Sequence, residues 1–192
     1  GSRLWLVADE SRFRQRFDPD FAQTAWQRME LVAKVDGVMV FVSRDALPPA
    51  SSQTVDALFG GQVALLRYDL GLAGSGARPG QPLPFTLYWQ ATGPVDGQYT
   101  LFVHLLGADG RRYAQADGPP LRGIQPMSHW QSSEILPDRR TIDLPPDLPP
   151  GSYSLAFGLY GADGSRLPIA AAAGQPLGDT FTIEGIEVEA RP

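Results

Sequence analysis

The sequence predicts a mainly β protein: an antiparallel β-sandwich preceded by a small β-α-β segment. The first observation behind this prediction is an internal repeat, because residues 97–112 (GQYTLFVHLLGADGRR) return as residues 151–166 (GSYSLAFGLYGADGSR). The second is composition, since 21 glycines and 18 prolines among 192 residues favour short strands and turns over long helices. The third is the alternation of apolar and polar residues in several short stretches, which is typical of half-buried strands.

Each copy of the repeat has the design of a β-hairpin. It begins at a glycine, continues as an alternating strand, and reverses at Asp109-Gly110 or Asp163-Gly164. Asp-Gly is the dipeptide that best tolerates the positive φ angles of a tight hairpin turn. The residues that the two copies share include Tyr99 with Tyr153, Leu101 with Leu155, Leu105 with Leu159, and Arg112 with Arg166. We expect two similar hairpins, with the shared tyrosines and leucines facing the core.

Further strands are predicted at residues 62–70, 83–90, 134–144 and 180–189. Within residues 83–90, the core-facing set is Leu83, Phe85, Leu87 and Trp89. Pro137 interrupts the third of these strands, and the apolar phase shifts at Gly185 in the last, which predicts a β-bulge there. Some seven or eight short strands describe a sandwich of immunoglobulin-like or jelly-roll topology, and the sequence leaves the choice open.

The N-terminal part has the pattern of a β-α-β unit. Strands are predicted at residues 4–7 and 38–42, and between them Asp18 is a suitable N-cap for a helix. The apolar face of this helix comprises Phe21, Ala25, Met29, Val32 and Ala33, and Asp36-Gly37 supplies its stop. We expect parallel strands with a right-handed crossover. The predicted organisation is residues 1–44 as this segment, residues 45–59 as a Pro/Ala/Ser-rich linker, and residues 60–192 as the sandwich.

Composition also limits the classes of function. A net charge of −5 argues against a nucleic acid partner, since binding a phosphate backbone needs clustered positive charge. The absence of cysteine excludes disulfides, thiolate metal sites and cysteine nucleophiles. No apolar run approaches the ~20 residues that span a bilayer. The start Gly1-Ser2-Arg3, without Met, leads us to expect a fragment of a longer protein.

Several spaced motifs resemble a known family. They are RYDLG at residues 67–71, PGQPLPFTLYWQA at 79–91, YTLFVHLLGADGR at 99–111, AQADGPP at 114–120, and DLPPGSYSLAFGLYGADGSRLPI at 147–169. Together they are similar to the C-terminal β-sandwich of bacterial multi-pass membrane glycosyltransferases of the dolichyl-phosphate-mannose-dependent, family 39-like type. The resemblance covers residues 60–169. It implies an extracytoplasmic accessory domain tethered to the membrane portion of its parent chain, where the family's catalytic acidic residues lie.

A candidate binding surface lies on the side of the strands opposite the predicted core. The residues predicted to project there are Tyr88, Phe102, His104, Ala156, Gly158 and Tyr160. Aromatic rings beside small residues can cover the apolar face of a pyranose while polar neighbours bond its hydroxyls. Trp130, in the long connection of residues 117–133, is either a packing residue of that loop or a further binding platform. The alternative is that the predicted helix simply covers this face, because an exposed apolar patch needs a cover.

No residue set in the sequence demands a reaction. Neither histidine, His104 or His129, has partners at a metal-binding spacing, and G-x-S-x-G and phosphate-loop motifs are absent. We expect no catalytic residue, metal or cofactor in this chain. Three functions stay open: a glycosyltransferase accessory domain that contacts the saccharide acceptor, a free-standing carbohydrate-binding module, and a structural protein-interaction domain.

Overall fold

The computed structural model describes residues 5–9, 29–35, 38–43, 52–72 and 76–190. The strands within these ranges are β1 (Trp5–Asp9), β2 (Met29–Val35), β3 (Val38–Ser43), β4 (Gln53–Phe59), β5 (Val63–Leu70), β6 (Pro82–Ala91), β7 (Thr100–Gly107), β8 (Arg112–Gln115), β9 (Leu136–Asp143), β10 (Gly151–Tyr160), β11 (Ile169–Ala170), β12 (Pro176–Gly178) and β13 (Phe181–Val188). Two short 3-10 turns, Pro120–Gly123 and Met127–His129, lie between β8 and β9. No helix in this described part of the chain is long and apolar enough to cross a membrane.

Two antiparallel sheets form the predicted β-sandwich. The four-stranded sheet has the order β13-β10-β7-β8, and the six-stranded sheet has the order β12-β11-β4-β5-β6-β9. Alternate residues of both sheets are buried in a common hydrophobic core. On β6 the predicted inward set is confirmed, since Leu83, Phe85, Leu87 and Trp89 are all at most 3% exposed. The predicted fold class, mainly β and antiparallel, is therefore correct.

The two copies of the repeat lie side by side in the four-stranded sheet. Strands β7 and β10 pair antiparallel, so Leu101 faces Leu159 and Leu105 faces Leu155. Because Leu101 aligns with Leu155 and Leu105 with Leu159 in sequence, the two copies are related by a local two-fold axis that passes between the strands. Their shared leucines thus fill equivalent places on the core side of the sheet.

The turns of the two copies are built alike. In the first, Asp109 Oδ1 accepts the Arg111 N–H at 2.9 Å, and in the second, Asp163 Oδ1 accepts the Ser165 N–H at 3.0 Å. The shared tyrosines are alike too, because each hydroxyl donates to a nearby upstream carbonyl, Tyr99 to Asp96 at 2.7 Å and Tyr153 to Pro149 at 2.8 Å. The predicted positive φ at the Asp-Gly turns is confirmed in both copies, at 74° for Gly110 and 80° for Gly164, but the return arm of the second copy forms only the single bridge Tyr160–Arg166.

The bulge predicted at Gly185 is confirmed, whereas the interruption predicted at Pro137 is not, because β9 continues through this residue. The register between β10 and β13 shifts between Tyr153 and Leu155, opposite Gly185, whose φ is 79°. A positive φ is easy only for glycine, which explains why the bulge occurs there. Pro137 lies in β9, which is an edge strand of the six-stranded sheet, where a missing N–H is tolerated.

The prediction of a parallel β-α-β unit is wrong. Strand β1 pairs antiparallel with β3, and Met29–Val35, assigned by sequence to the end of the helix, is strand β2 paired antiparallel with β3. Asp-Gly following an apolar stretch can end a helix or join two strands of a hairpin. Val35 pairs with Val38, so Asp36-Gly37 joins two paired strands in sequence. The predicted helix start at Asp18, with Phe21 and Ala25, lies outside the described residues.

The predicted linker also needs correction at its end. Gln53–Phe59 is strand β4, which pairs with β5 and β11 inside the six-stranded sheet. The regular structure of the larger sheet thus starts before residue 60, while residues 45–51 lie outside the described ranges. The prolines and serines before Gln53 are typical of a linker, and they hid this strand in the sequence. The apolar residues of the strand itself, such as Phe59, are buried.

Candidate functional site

The predicted aromatic face is divided between the two sides of the sandwich. Phe102, His104 and Tyr160 lie on β7 and β10 of the four-stranded sheet, but Tyr88 lies on β6 of the six-stranded sheet. Each points away from the core of its own sheet, so the predicted phase is right and the predicted grouping is wrong. Alternation with a period of two tells which residues point outward, and it does not tell to which sheet a strand belongs.

Trp130 does not form an exposed platform. Only 4% of the residue is accessible, and its indole N–H donates to the backbone carbonyl of Gln125 at 3.3 Å. Together with buried Met127 it anchors the connection between β8 and β9 in the core. Of the two roles that the sequence leaves open for Trp130, the structure therefore supports loop packing and not ligand contact.

Phe102 is buried on the outer side of the four-stranded sheet. It pairs across the strands with Gly158, and a Cβ added to this glycine would come within 2.7 Å of the Phe102 ring. The guanidinium of Arg166 lies 4.3 Å from the ring centroid, which is a cation–π contact. Asp179 and Thr180 hold this guanidinium at 3.3 and 3.1 Å. The chain's own second repeat therefore shields the ring, and 3% of Phe102 remains accessible.

His104 lies at the centre of this face, next to charged side chains. It lies between Ala156 on β10 and Gln115 on β8, and its side chain is 17% exposed. Its Nε2 lies 3.7 Å from Asp117 Oδ1 and 3.4 Å from Arg112 Nη1. Burial lowers the pKa of His104, and the charges of Arg112 and Arg166 lower it further, whereas the charge of Asp117 opposes them. These causes favour the neutral imidazole at neutral pH.

We call this surface the His104 cluster. Its members are Phe102, His104, Arg112, Asp117, Tyr160 and Arg166. Asp117 is held in place because its Oδ1 accepts the N–H of Val103 at 3.0 Å. Tyr160 is half-buried, and its ring centroid lies 6.5 Å from that of Phe102. The cluster thus presents a guanidinium donor and a carboxylate acceptor, both within 4 Å of one imidazole nitrogen, beside an aromatic ring.

Sequence reasoning missed the two arginines of the cluster, although a signal for them was present. Arg112 and Arg166 occupy the same position in the two copies of the repeat. The local two-fold axis carries them to the same outer face, where one meets His104 and the other covers Phe102. The two copies of the repeat share mainly core residues, so an arginine kept at the same position in both copies was the clue to a role on the outer face.

Tyr88 has its own polar surroundings on the opposite side of the sandwich. Its hydroxyl donates to Asp69 Oδ2 at 2.7 Å, and the Arg67 guanidinium lies 4.0 Å from its ring centroid. A cavity of about 480 Å³ at one end of the sandwich, lined by residues that include Arg78, Gln81 and Leu144, contains none of the predicted site residues. Within the described ranges, no three His, Asp or Glu side chains converge to hold a metal ion.

Comparison with known proteins gives structural similarity only. No protein-family model matches the chain, and no curated protein sequence matches it. Among solved structures, the C-terminal domain of Wzt is similar at 17% identity and a TM-score of 0.48, with 78% of this chain and 84% of that chain covered.

Two further structures are more distant. The CARDB domain of the PF1109 protein from Pyrococcus furiosus, in complex with di-metal ions, is 8% identical with a TM-score of 0.31, and 77% of this chain and 99% of that chain are covered. The β-glucuronidase of Bifidobacterium dentium, complexed with coumarin-3-O-glucuronide, is 16% identical with a TM-score of 0.29, and 76% of this chain and 19% of that chain are covered. All three TM-scores are below 0.5, so the description of the chain as an antiparallel β-sandwich stands on its own strand order and register.

Proposed function

We propose that this chain is a non-catalytic, extracytoplasmic accessory domain of a membrane glycosyltransferase and that it contacts the saccharide acceptor through the His104 cluster. The observation that carries the saccharide contact is the placement of Arg112 and Asp117 close to the same atom, His104 Nε2, at 3.4 and 3.7 Å. The family resemblance in residues 60–169 supports the membrane and glycosyltransferase context.

The chemistry of the cluster fits neighbouring hydroxyls of a sugar ring. Each hydroxyl is both donor and acceptor, so it can accept from the Arg112 guanidinium and donate to the Asp117 carboxylate. Hydrogen bonds to charged groups are about twice as strong as neutral ones, which makes this pairing the main source of affinity. The half-buried Tyr160 offers a ring for the apolar side of the pyranose. Phe102, which lies under Arg166, supports the surface from within.

The same geometry favours binding over hydrolysis. Glycoside hydrolysis needs a carboxyl group whose pKa is raised so that it can protonate the leaving oxygen. Near the cluster, the Thr180 hydroxyl and then the Arg166 guanidinium lower the pKa of Asp179 by bonding its carboxylate. Asp117 accepts the backbone N–H of Val103, which fixes the position of its carboxylate. The lowered pKa of Asp179 suits a group that accepts hydrogen bonds, not one that donates a proton to a leaving oxygen.

Glycan binding is the first test of this proposal. The purified chain would be applied to an array of bacterial and mannose-containing oligosaccharides, and the tightest binder titrated by calorimetry. We expect Arg112→Gln and Asp117→Asn each to weaken binding by about 10- to 100-fold, because each removes a charge-assisted hydrogen bond. Arg67→Gln, a charge-matched change on the opposite face, should leave affinity unchanged. Binding to no oligosaccharide, or an equal loss in the Arg67 variant, would contradict the saccharide contact.

The gene itself tests the membrane context. We expect the coding sequence upstream of Arg3 to encode several apolar segments of ~20 residues each, as in the family that the chain resembles. Reading that sequence is a direct check. Upstream sequence without such segments would overturn the glycosyltransferase context and would favour a free-standing carbohydrate-binding module.

A further inference from the structure

We propose that Asp138 and Arg140 are positioning residues for the His104 cluster: from inside the core they hold the backbone around Asp117 and thereby place its carboxylate beside His104. The inference rests on the proposed function only in treating the cluster as the ligand contact. The positioning of Asp117 by Asp138 and Arg140 does not depend on any ligand.

The two residues form a buried ion pair at the edge of the six-stranded sheet. On β9 they lie at two-residue spacing between Leu136 and Ile142, which are fully buried. All four side chains therefore share the core side of the strand. Arg140 Nε lies 3.1 Å from Asp138 Oδ2, and the two side chains are 7% and 0% exposed. Burial raises the pKa of Asp138, and the charge of Arg140 opposes this rise. A charged pair in such a place is costly to desolvate.

The guanidinium spans the gap between the sheets. Its Nη1 donates to the carbonyl of Ala116 at 3.5 Å, and its Nη2 donates to the carbonyl of Gly118 at 3.4 Å and to the carbonyl of Pro119. These carbonyls flank Asp117 in the chain. A guanidinium presents five donors in a rigid planar fork, and an ammonium on a flexible stem cannot reproduce this geometry.

On its other side, the same segment is tied to β7. Gly118 and Leu101 exchange two backbone hydrogen bonds at 2.9 and 3.0 Å, and the Ala116 N–H donates to Val103 at 2.8 Å. Arg140 therefore clamps the backbone of residues 116–119 against the strand that carries His104. The side chain of Asp117 projects from this clamped backbone to within 3.7 Å of His104 Nε2.

The turn that follows the clamp is strained. Leu121, Arg122 and Gly123 have successive φ angles of 53°, 55° and 74°, which is a left-handed turn. Each non-glycine residue in this conformation costs about 1–2 kcal/mol. Strain of this kind persists only where the surroundings determine the conformation, and buried Leu121 together with the Arg140–Pro119 contact provides this restraint.

Stability alone does not account for a charged pair here. Replacing a buried ion pair by apolar residues of similar volume is often neutral or stabilising. In addition, burial still raises the pKa of Asp138 although Arg140, the Leu121 N–H and the Trp89 indole all oppose the rise, so the pair is incompletely compensated. Apolar residues could fill this place, but they could not donate to the carbonyls that flank Asp117.

The test is therefore the double variant Asp138→Leu/Arg140→Met, which restores an apolar core. Its pH titration, followed by NMR of the imidazole nitrogens, should show a lower pKa for His104 than in the wild type, because Asp117 no longer holds its charge beside the ring. The fall should be in the same direction as in Asp117→Asn, which serves as the reference for full loss. Adding Asp117→Asn to the double variant should then produce little further change.

A folded double variant with an unchanged His104 titration would overturn the proposal. If the double variant does not fold, Arg140→Lys replaces it, since this change keeps the charge beside Asp138 and removes the fork; an unchanged His104 titration there overturns the proposal as well. Oligosaccharide affinity, where an array binder exists, should fall by about tenfold in the folded variant. The NMR measurement needs no ligand, so a failure of glycan binding leaves its result interpretable.

Discussion

Replacing Trp89 with alanine is expected to lower the free energy of unfolding by about 3–5 kcal/mol, the usual range for deleting a buried aromatic side chain. Trp89 is 0% exposed on β6, between β5 and the edge strand β9 of the six-stranded sheet. Its ring meets Phe59 edge-on, with 5.3 Å between centroids and 80° between planes. It stands between Leu65 on β5 and Leu136 on β9, so its loss would leave a cavity lined by three strands.

Trp89→Phe separates volume from polarity. The buried indole bonds to the Asp138 carboxylate and helps to lower the pKa of that group, so phenylalanine removes a polar contact together with some volume. We expect it to cost less than alanine, about 1–3 kcal/mol. Urea unfolding followed by far-UV circular dichroism measures both, and Thr86→Ala, on the outward side of the same strand, should stay within about 0.5 kcal/mol. A loss below about 1 kcal/mol in Trp89→Ala would contradict the burial described above.

The alternation of apolar and polar residues along β6 was sufficient to predict that Trp89 points into the core. It was not sufficient to predict to which sheet Tyr88 belongs. Neighbours along β6 alternate between core and surface, and this period is written in the sequence. Whether β6 joins β7 or β5 and β9 depends on contacts between distant segments, which no local window contains. Tyr88 therefore points outward as predicted, but from the other sheet.

The same reasoning explains the error at the N-terminus and the unforeseen ion pair. Asp36-Gly37 is compatible in sequence with a helix end and with a hairpin, and residues 29–35 before it form a strand that pairs with β3. On β9, Asp138 and Arg140 lie on the core side of the strand. A hydrophobicity pattern assigns charged residues such as these to the solvent side. Their burial becomes intelligible only with the carbonyls of residues 116–119, more than twenty positions away in the chain for Gly118 and Arg140.

Gly158→Ala is expected to destabilise the protein by about 1–3 kcal/mol, the range for overpacking. A Cβ at this position would lie 2.6 Å from the carbonyl oxygen of Asp179 and 2.7 Å from the Phe102 ring. A backbone carbonyl cannot swing away as a flexible side chain can, so the segment that carries Asp179 must shift. Urea unfolding measures the loss. Gly93→Ala is the matched control, since nothing lies within 4 Å of the added Cβ there, and it should be nearly neutral.

A double-mutant cycle with Phe102→Leu then tests why the two repeats differ. Across the paired strands, Phe102 faces Gly158 and His104 faces Ala156, so each large residue of one copy meets a small residue of the other. If this complementarity is the reason for the difference, Gly158→Ala should cost less in the Phe102→Leu background, with a coupling of about 0.5–3 kcal/mol. Additive costs would mean that only the Asp179 carbonyl excludes a side chain at residue 158. A smaller cost of Gly158→Ala in the Phe102→Leu background would mean that the difference between the repeats makes space for the Phe102 ring. It would also make space for Arg166, which covers this ring at the edge of the His104 cluster.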